Sequence, residues 1–486
     1  MPGLVFEEQA PIAPSAPNRM DIALMVGFVR MRPGAKLPAG TLQWLKDSGW
    51  MQKRYSSRVD GLLDVPILID NWGEFDQLFA WEQRDSAIQD GATYLGSAVR
   101  SFFAQGGRRC YVVRAGDPTL LEAKRASRLD SLTLLLPGYP NGFAPSPADR
   151  ESWHGMGHLF GLPDVSFVCL PDLPEAVGVD RQRVPLPDPP PGPREVFVEC
   201  SIALPAPPPD LSVRDVSAPT CDDQGYSDWA SAVNLVTSTL ARRNREAEFV
   251  AALPMPQKTV DIDGLQQAGL QRTAFLQLVY PWVTTPGSFA LPENVEPADG
   301  AFTGILARNS LTRGTYHTAA NLHVGDISAL FPRLGRQEQD ALEEDISLIG
   351  PTPSGLKLLS DVTTSTDQSY RCGSVSRLIA SVVRTARRIG EDSAFEPSGA
   401  RVWGEVRERL NSFLLGLYHA DALRGSSPGE AYNVKCDRST MTQNDLDEGR
   451  LIAVVQLDPA APIDTITVVL SLNENRLALA PAGGVA

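Results

Sequence analysis

The sequence lacks the patterns by which catalytic and metal-binding proteins are most easily identified. It contains no GxxxxGK[ST] phosphate loop and no GxGxxG after a strand. Its six cysteines lie far apart and none forms a CxxC pair, so neither a disulfide framework nor a zinc site is indicated. We therefore predict a protein that is not an enzyme and that uses no cofactor and no metal.

Histidine is also scarce, with five residues in the whole chain. His154 and His158 lie four apart, which would place them on one face of a helix. A metalloprotease motif needs a glutamate directly after the first histidine, and Gly155 occupies that position. We favour surface or packing roles for both histidines over a metal site.

Length and charge narrow the class of protein further. At 486 residues the chain is too long for one compact core, so two or three domains are expected. The net charge of −14 argues against nucleic acid or an anionic membrane as the main partner. The N-terminus has no signal-peptide pattern, and the apolar run 22–29 is too short to span a bilayer. These features predict a chain without membrane insertion that folds in a reducing cytoplasm.

Strand and helix patterns alternate over much of the chain. Short apolar runs predict buried strands, and these runs are 22–29, 65–69, 109–113, 165–170, 248–253 and 274–279. Helical patterns cover 91–105 and 229–240, and 75–79 predicts the start of another helix. A helix feeding a buried strand indicates βαβ units. We therefore predict a doubly wound α/β domain over 21–355, with insertions at 31–90 and 118–220.

The last third of the chain shows a different order. Apolar residues recur at spacings of three and four from Val375 to Ile389 and again from Val402 to Leu417, which predicts two helices. Two β-rich runs follow, 451–457 and 463–472. These patterns predict an α+β domain over 356–472 with a C-terminal tail at 473–486.

Eight short pieces in this region resemble the C-terminal domain of contractile tail sheath proteins, which form the outer cylinder of contractile phage tails, R-type pyocins and bacterial contractile injection systems. The pieces are 374–378, 395–397, 402–403 with 413–414, 422–425, 432–437, 449–451 and 461–463. Further similar pieces are 98–103 with 106–114, 280–282, 304–308 and 319–321. The resemblance implies a multidomain sheath subunit, with an outer doubly wound α/β domain, an inner C-terminal α+β domain and extended terminal arms.

The arms are the first sites that the resemblance implies. Residues 1–20 begin with Gly3-Leu4-Val5-Phe6-Glu7-Glu8 and continue with three prolines, so they bury little against their own chain. In the family such a segment adds a strand to a neighbouring subunit. We predict inter-subunit pairing at the following residues of the two arms: Leu4, Val5, Phe6, Ile463, Ile466, Val468 and Leu470.

A cluster of arginines is the second candidate site. Five arginines and no acid lie between Gln368 and Gly390. One interpretation is a solvated helix face or cations near a helix C-terminus. The resemblance offers another, a basic stripe facing an acidic inner tube. The candidate tube-facing residues are Arg377, Arg384, Arg387 and Arg388.

The resemblance implies a mechanical function. Copies of the chain would form stacked hexameric rings around an inner tube protein, bounded by baseplate and terminator or cap proteins, and contraction would drive the tube through a target envelope. Assembly would take place in the bacterial cytoplasm as part of a phage tail-like particle. Two alternatives stay open: a ring-forming baseplate or cap component of the same machine, and a soluble α/β enzyme.

Overall fold

The computed structural model describes most of the chain, and the account below concerns these residues alone. They are 20–86, 91–141, 146, 149–181, 216–242, 246–257, 268–393, 399–447, 451–460, 469–473 and 476–480. For 242, 447, 469–473 and 476–480 the backbone alone is described. Among the described residues, no helix combines the length and the apolar content of a bilayer-spanning segment.

Helices are distributed along the whole described chain. The α-helices are α1 (Ala39–Asp47), α2 (Ser56–Asp60), α3 (Trp72–Leu78), α4 (Tyr94–Ala104), α5 (Arg125–Leu135), α6 (Leu173–Val177), α7 (Asp223–Arg242), α8 (Asp299–Thr312), α9 (Arg336–Leu342), α10 (Gly373–Asp392), α11 (Ala400–His419), α12 (Pro428–Ala431) and α13 (Gln443–Asp447). Short 3-10 helices cover Lys53–Tyr55, Arg150–Ser152, Gly155–Gly161, Pro292–Asn294 and Gln368–Tyr370.

Strands fall into one large sheet and several pairs. They are β1 (Ala23–Phe28), β2 (Arg30–Met31), β3 (Pro66–Ile69), β4 (Phe79–Ala80), β5 (Cys110–Gly116), β6 (Phe167–Cys169), β7 (Thr220–Cys221), β8 (Glu248–Ala252), β9 (Met255–Pro256), β10 (Leu276–Tyr280), β11 (Trp282–Thr284), β12 (Ala329–Phe331), β13 (Ser347–Thr352), β14 (Gly355–Leu358), β15 (Tyr432–Lys435), β16 (Val454–Leu457), β17 (Val469–Asn473) and β18 (Arg476–Ala480).

The large sheet has eight strands in the order β14-β13-β10-β8-β6-β1-β5-β3. Its inner strands are parallel, and the two edge strands β14 and β3 run antiparallel to their neighbours. Strands β3 and β5 lie on one side of β1, and the later strands from β6 onward lie on its other side, so the strand order reverses between β1 and β6. A carboxyl-end crevice at such a switch point is where open α/β sheets usually bind ligands.

Each face of this sheet carries its own hydrophobic core, because alternate residues of a strand point to opposite faces. Leu24 and Val26 belong to the core that includes α5, α6 and α7, whereas Ala23 and Met25 belong to the core that includes α4 and α8. The predicted doubly wound α/β architecture is thereby confirmed.

A third core lies in the C-terminal part of the chain. Leu378 and Val382 of α10 pack with Val406 and Leu410 of α11, and β15 and β16 contribute to the same cluster. β15 and β16 form an antiparallel pair in which Val434 faces Val455. The predicted α+β architecture of this part is confirmed as well.

Some elements differ from the sequence expectation. The helix expected to start at 75–79 ends there: α3 starts after Asn71, whose side chain accepts a hydrogen bond from the Glu74 N–H at 3.0 Å. No helix was indicated over α8, because its residues are buried on nearly every side and show no polar face. The predicted C-terminal tail contains β18, which pairs with β17.

The arm residues lie mostly outside the described part. Leu4, Val5, Phe6, Ile463, Ile466 and Val468 are not among the described residues. Leu470 belongs to β17, where its backbone pairs with that of Leu479. The pairing of these residues with other subunits stays a prediction.

The switch-point crevice between β1 and β6 is filled by the protein itself. The Asp172 carboxylate accepts a hydrogen bond from the Phe28 N–H at 2.7 Å, and a Cβ added at Gly27 would lie 2.2 Å from it. Two more carboxylates are fully buried, that of Glu296 and that of Asp299, the first residue of α8. Burial raises the pKa of Asp172 and Asp299 to about 7 and that of Glu296 to about 8.

These carboxyl groups should make stability fall as pH rises. Between about pH 5 and pH 7 the folded state keeps protons that the unfolded state has already lost, so each such group removes about 1.4 kcal/mol of stability per pH unit. We expect the free energy of unfolding, measured on unassembled protein, to decrease over this range. The free energy of unfolding of the Asp299→Asn variant should decrease less steeply with pH. If the two proteins gave parallel curves of unfolding free energy against pH, the raised pKa of Asp299 would be contradicted.

Candidate functional site

Helix α10 presents three different faces to three different surroundings. Gly373, Arg377, Ala380 and Arg384 recur at spacings of three and four and face the large sheet, whereas Leu378 and Val382 face α11. Val375, Ile379, Val383 and Ala386 follow the same period on a third side. The sequence period that predicted this helix therefore describes two apolar faces, and Arg377 and Arg384 lie on the remaining face, toward the large sheet.

Arg377 joins α10 to the large sheet through a buried ion pair. Its guanidinium donates two parallel hydrogen bonds to the Asp361 carboxylate, at 3.0 and 2.6 Å. Gln277 of β10 contacts both partners, and the Ala319 N–H donates to the same carboxylate at 2.7 Å. Arg377 and the Asp361 side chain are wholly excluded from solvent.

Local backbone and charge are adapted to this pair. A Cβ at Gly373 would lie 2.3 Å from an Asp361 oxygen, so a glycine is required where α10 begins. Burial disfavours the charged form of Asp361, but the Arg377 guanidinium outweighs it and lowers the pKa of the carboxyl group. Glu248, 3.8 Å from Arg377, is less well paired, and burial raises its pKa to about 7.

Arg384 fixes the next turns of α10 against the amino ends of β6 and β8. Its guanidinium donates to the backbone carbonyls of Val165 at 2.6 Å and Glu246 at 2.8 Å, and to the Ser166 hydroxyl at 3.1 Å. Arg387 pairs with Glu246 at 2.7 Å. The helix is therefore clamped to the outer sheet over about three turns.

This burial contradicts the predicted tube-facing role of Arg377 and Arg384, which are 0% and 1% exposed. Arg377 compensates the buried Asp361 carboxylate instead, and Arg384 compensates the backbone carbonyls of Val165 and Glu246, which precede β6 and β8. Arg387, which is engaged by Glu246 and Glu391, and Arg388 are half-buried. The tube-facing role of Arg387 and Arg388 stays a prediction.

The third face of α10 borders an apolar groove of about 840 Å³. Its walls are the third face of the helix and the strand β16 with the residues that flank it. Val375, Ile379 and Val383 line one wall, and Val455 and Leu457 line the other. We refer to this cavity as the α10/β16 groove.

The strand beside the groove is an edge strand. Among the described residues, β16 pairs on one side only, with β15. Val454 is 41% exposed and Ile452 36% exposed, so apolar surface accompanies the unpaired edge. An edge strand offers free N–H and C=O groups to another chain.

His158 is packed in the protein interior, whereas His154 lies at the surface. His154 and His158 both contact the Asp64 carboxylate, at 2.5 and 3.1 Å, and the His158 ring lies against Trp50. Burial lowers the pKa of His158, and Asp64 only partly offsets this effect. In the part of the chain that is described, no group of three ligating side chains is placed to hold a metal ion.

Comparisons by sequence yield nothing: no family model matches the chain, and no curated protein matches it.

Solved structures match the chain over nearly its whole length. A chain of the anti-feeding prophage baseplate in its contracted state matches with a TM-score of 0.63 and 18% identity, covering 98% of this chain and 99% of that one. The helical sheath of the anti-feeding prophage in its contracted state gives a TM-score of 0.57 at 16% identity, with 98% and 99% covered.

A third match comes from an extracellular contractile injection system, the PVC sheath complex in its contracted state. It has a TM-score of 0.56 and 19% identity, and 98% of each chain is covered. The chain therefore has the multidomain fold found in these contractile injection structures.

The buried ion pair predicts a large stability difference between two arginine substitutions. Arg377→Met should lower the free energy of unfolding by about 3–5 kcal/mol, because it leaves Asp361 buried without its cation. Denaturant unfolding measures the change.

Arg409→Met is the matched control for that substitution. Arg409 pairs with Asp392 on the protein surface at 2.5 Å, with both side chains substantially exposed. This control substitution should lower the free energy of unfolding by less than about 1 kcal/mol. Equal losses for the two variants would contradict the structural role of Arg377.

Proposed function

We propose that this chain is a structural subunit of a contractile sheath, which polymerises helically around an inner tube and contracts to drive the tube through a target envelope. The observation that carries the proposal is the α10/β16 groove with its open strand edge, in a fold shared over 98% of the chain with contractile sheath structures. The role needs no catalytic group.

The physical basis of assembly is strand addition. A second copy can satisfy the unpaired edge of β16 with an extended arm and bury apolar side chains of that arm against α10. Because the donating arm and the accepting groove are different surfaces, each contact leaves both kinds of surface available for further copies. Such heterologous contacts generate open helical polymers when the rotation does not close.

Contraction requires a subunit that transmits force between its inner and outer parts. Arg377 and Arg384 hold α10 on the outer sheet, while the opposite face of the same helix packs in the C-terminal core. The two parts of the subunit would then turn together while the arms act as tethers between copies. Two alternative packings of rigid subunits are a recognised basis for a switching assembly.

The partners and location follow from this role. We propose self-association into stacked hexameric rings, contacts with an inner tube protein, and contacts with baseplate and terminator or cap proteins at the ends. Assembly would occur in the bacterial cytoplasm within a phage tail-like particle. The charge of −14 fits protein partners better than nucleic acid.

A ring-forming baseplate component is the second candidate function. It is favoured by the match to a chain of the anti-feeding prophage baseplate structure, with a TM-score of 0.63. Such a component would use the same groove but stop at a closed ring. Electron microscopy of the purified protein distinguishes rings from long tubes.

An α/β enzyme is the weaker alternative. The crevice where such a fold would bind its substrate is occupied by Asp172 and packed by Leu95, as the short distances to Gly27 indicate. A shift of the melting temperature when a small-molecule ligand is added would support this alternative.

A charge placed in the groove should prevent assembly. Ile379→Asp and Val383→Asp each put a carboxylate on the apolar wall that would receive the arm, and burying it there without a partner is costly. We expect folded protomers that no longer pellet as polymers. Leu415→Asp on α11 is the control, since Leu415 is exposed and lies outside the groove. Normal sheaths from the groove variants would contradict the role of the groove.

Deleting residues 1–18 tests the arm. If the segment links subunits, the shortened chain should give no long sheaths by electron microscopy, because each groove loses its occupant. A cysteine introduced at Leu4 should also form a disulfide with Cys372 of another copy, since Cys372 lines the groove. The Cys372→Ser variant controls for the second result. Normal long sheaths after the deletion would refute the linking role.

A further inference from the structure

One end of the α10/β16 groove carries a cation. Arg424, Asp458 and Pro459 line this end, which lies just past the last residue of β16. The Arg424 N–H donates to the Asp458 carbonyl at 2.8 Å, which fixes the position of its backbone. Arg424 is exposed, and no acidic side chain of the described residues forms a salt bridge with it. The groove therefore combines apolar walls with an available guanidinium at one end.

An incoming strand would present only alternate side chains to α10. The strand β16 shows this alternation in its exposure, because Val455 and Leu457 are half-buried whereas Val454 and Gln456 are exposed. Strand period two places residues i, i+2 and i+4 of an added strand on the same face. The occupant must therefore carry apolar residues at positions i and i+2. At position i+4 it must carry an acidic residue that can pair with Arg424.

The N-terminal segment has this pattern. In Leu4-Val5-Phe6-Glu7-Glu8 one face of an extended strand carries Leu4, Phe6 and Glu8, and the other carries Val5 and Glu7. Leucine and phenylalanine fill a groove of about 840 Å³ better than one valine does. Glu8 then follows Phe6 by about 7 Å along the strand, within reach of a long arginine side chain.

The C-terminal segment is the other possible occupant. It also carries an acid, Asp464, next to apolar residues. Part of it, however, already has a backbone partner in its own chain, since β17 pairs with β18 from Val469 to Asn473. The N-terminal segment also offers two successive acids at the required position. These observations favour the N-terminal segment.

We propose that Glu8 of a second copy pairs with Arg424 and thereby fixes the register and direction in which the N-terminal arm enters the groove. This inference rests on the proposed sheath function. Asp458 at the same end adds a negative charge, so an arm shifted away from Arg424 would bring two carboxylates together without a cation between them. Arg424 is thus a specificity-determining residue for assembly.

Charge reversal and its rescue test the pairing in the full-length chain. Arg424→Glu and Glu8→Arg should each raise the critical concentration for polymerisation about tenfold or more, measured by sedimentation and electron microscopy. The double variant carrying both changes should return to within about threefold of the original value. Circular dichroism and thermal unfolding confirm that the exposed substitution at Arg424 leaves the protomer folded.

Glu7→Arg is the matched control, because Glu7 lies on the opposite face of the strand. Combined with Arg424→Glu it should give no rescue. Rescue by Glu7→Arg, or by Asp464→Arg in the C-terminal segment, would overturn the assignment to Glu8. Polymerisation of Arg424→Glu at the original concentration would overturn it as well.

The same experiments separate failure of this pairing from failure of the proposed function. If deletion of residues 1–18 abolishes assembly while Arg424→Glu does not affect it, the sheath function stands and the pairing is wrong. If the deletion leaves assembly unchanged, both the arm and its pairing are wrong.

Discussion

The ion pair between Arg377 and Asp361 is the interaction on which the two halves of the molecule depend. It lies where no solvent reaches, so each charge is tolerated only because the other is present. Through it the helix α10 becomes part of the outer sheet and of the C-terminal core at once. A helix held on two sides in this way leaves only its third side for interactions with other molecules.

The fold could be predicted in large part because its elements have clear periods. Strands such as β1 and β6 are short continuous apolar runs, as parallel strands covered on both faces should be. Helix α11 has one apolar stripe and was equally clear. Helix α8 was not predicted, since a helix buried all round, from Asp299 to Asn309, has no polar side to reveal its period.

The candidate site was predicted less completely. The apolar periodicity of α10 located the helix that borders the groove, but the arginines on it were assigned to solvent or to a tube. Their burial depends on Asp361 and on carbonyls near Val165 and Glu246, which are distant in sequence and meet α10 only through the topology of the sheet. The piece 422–425 includes Arg424, but nothing in that piece indicates a binding role, because the significance of Arg424 comes from its position at the end of the groove.

The edge of β16 that has no strand partner among the described residues has a consequence for the free chain. An unpaired strand edge can pair with extended segments of other chains, including partly folded ones, which makes free protomers prone to aggregation. Asp458 and Pro459, directly after the strand, act against such mispairing, since a charge and a residue without an N–H both shorten the usable edge. Ordered growth from a preformed template would keep the pool of waiting protomers small.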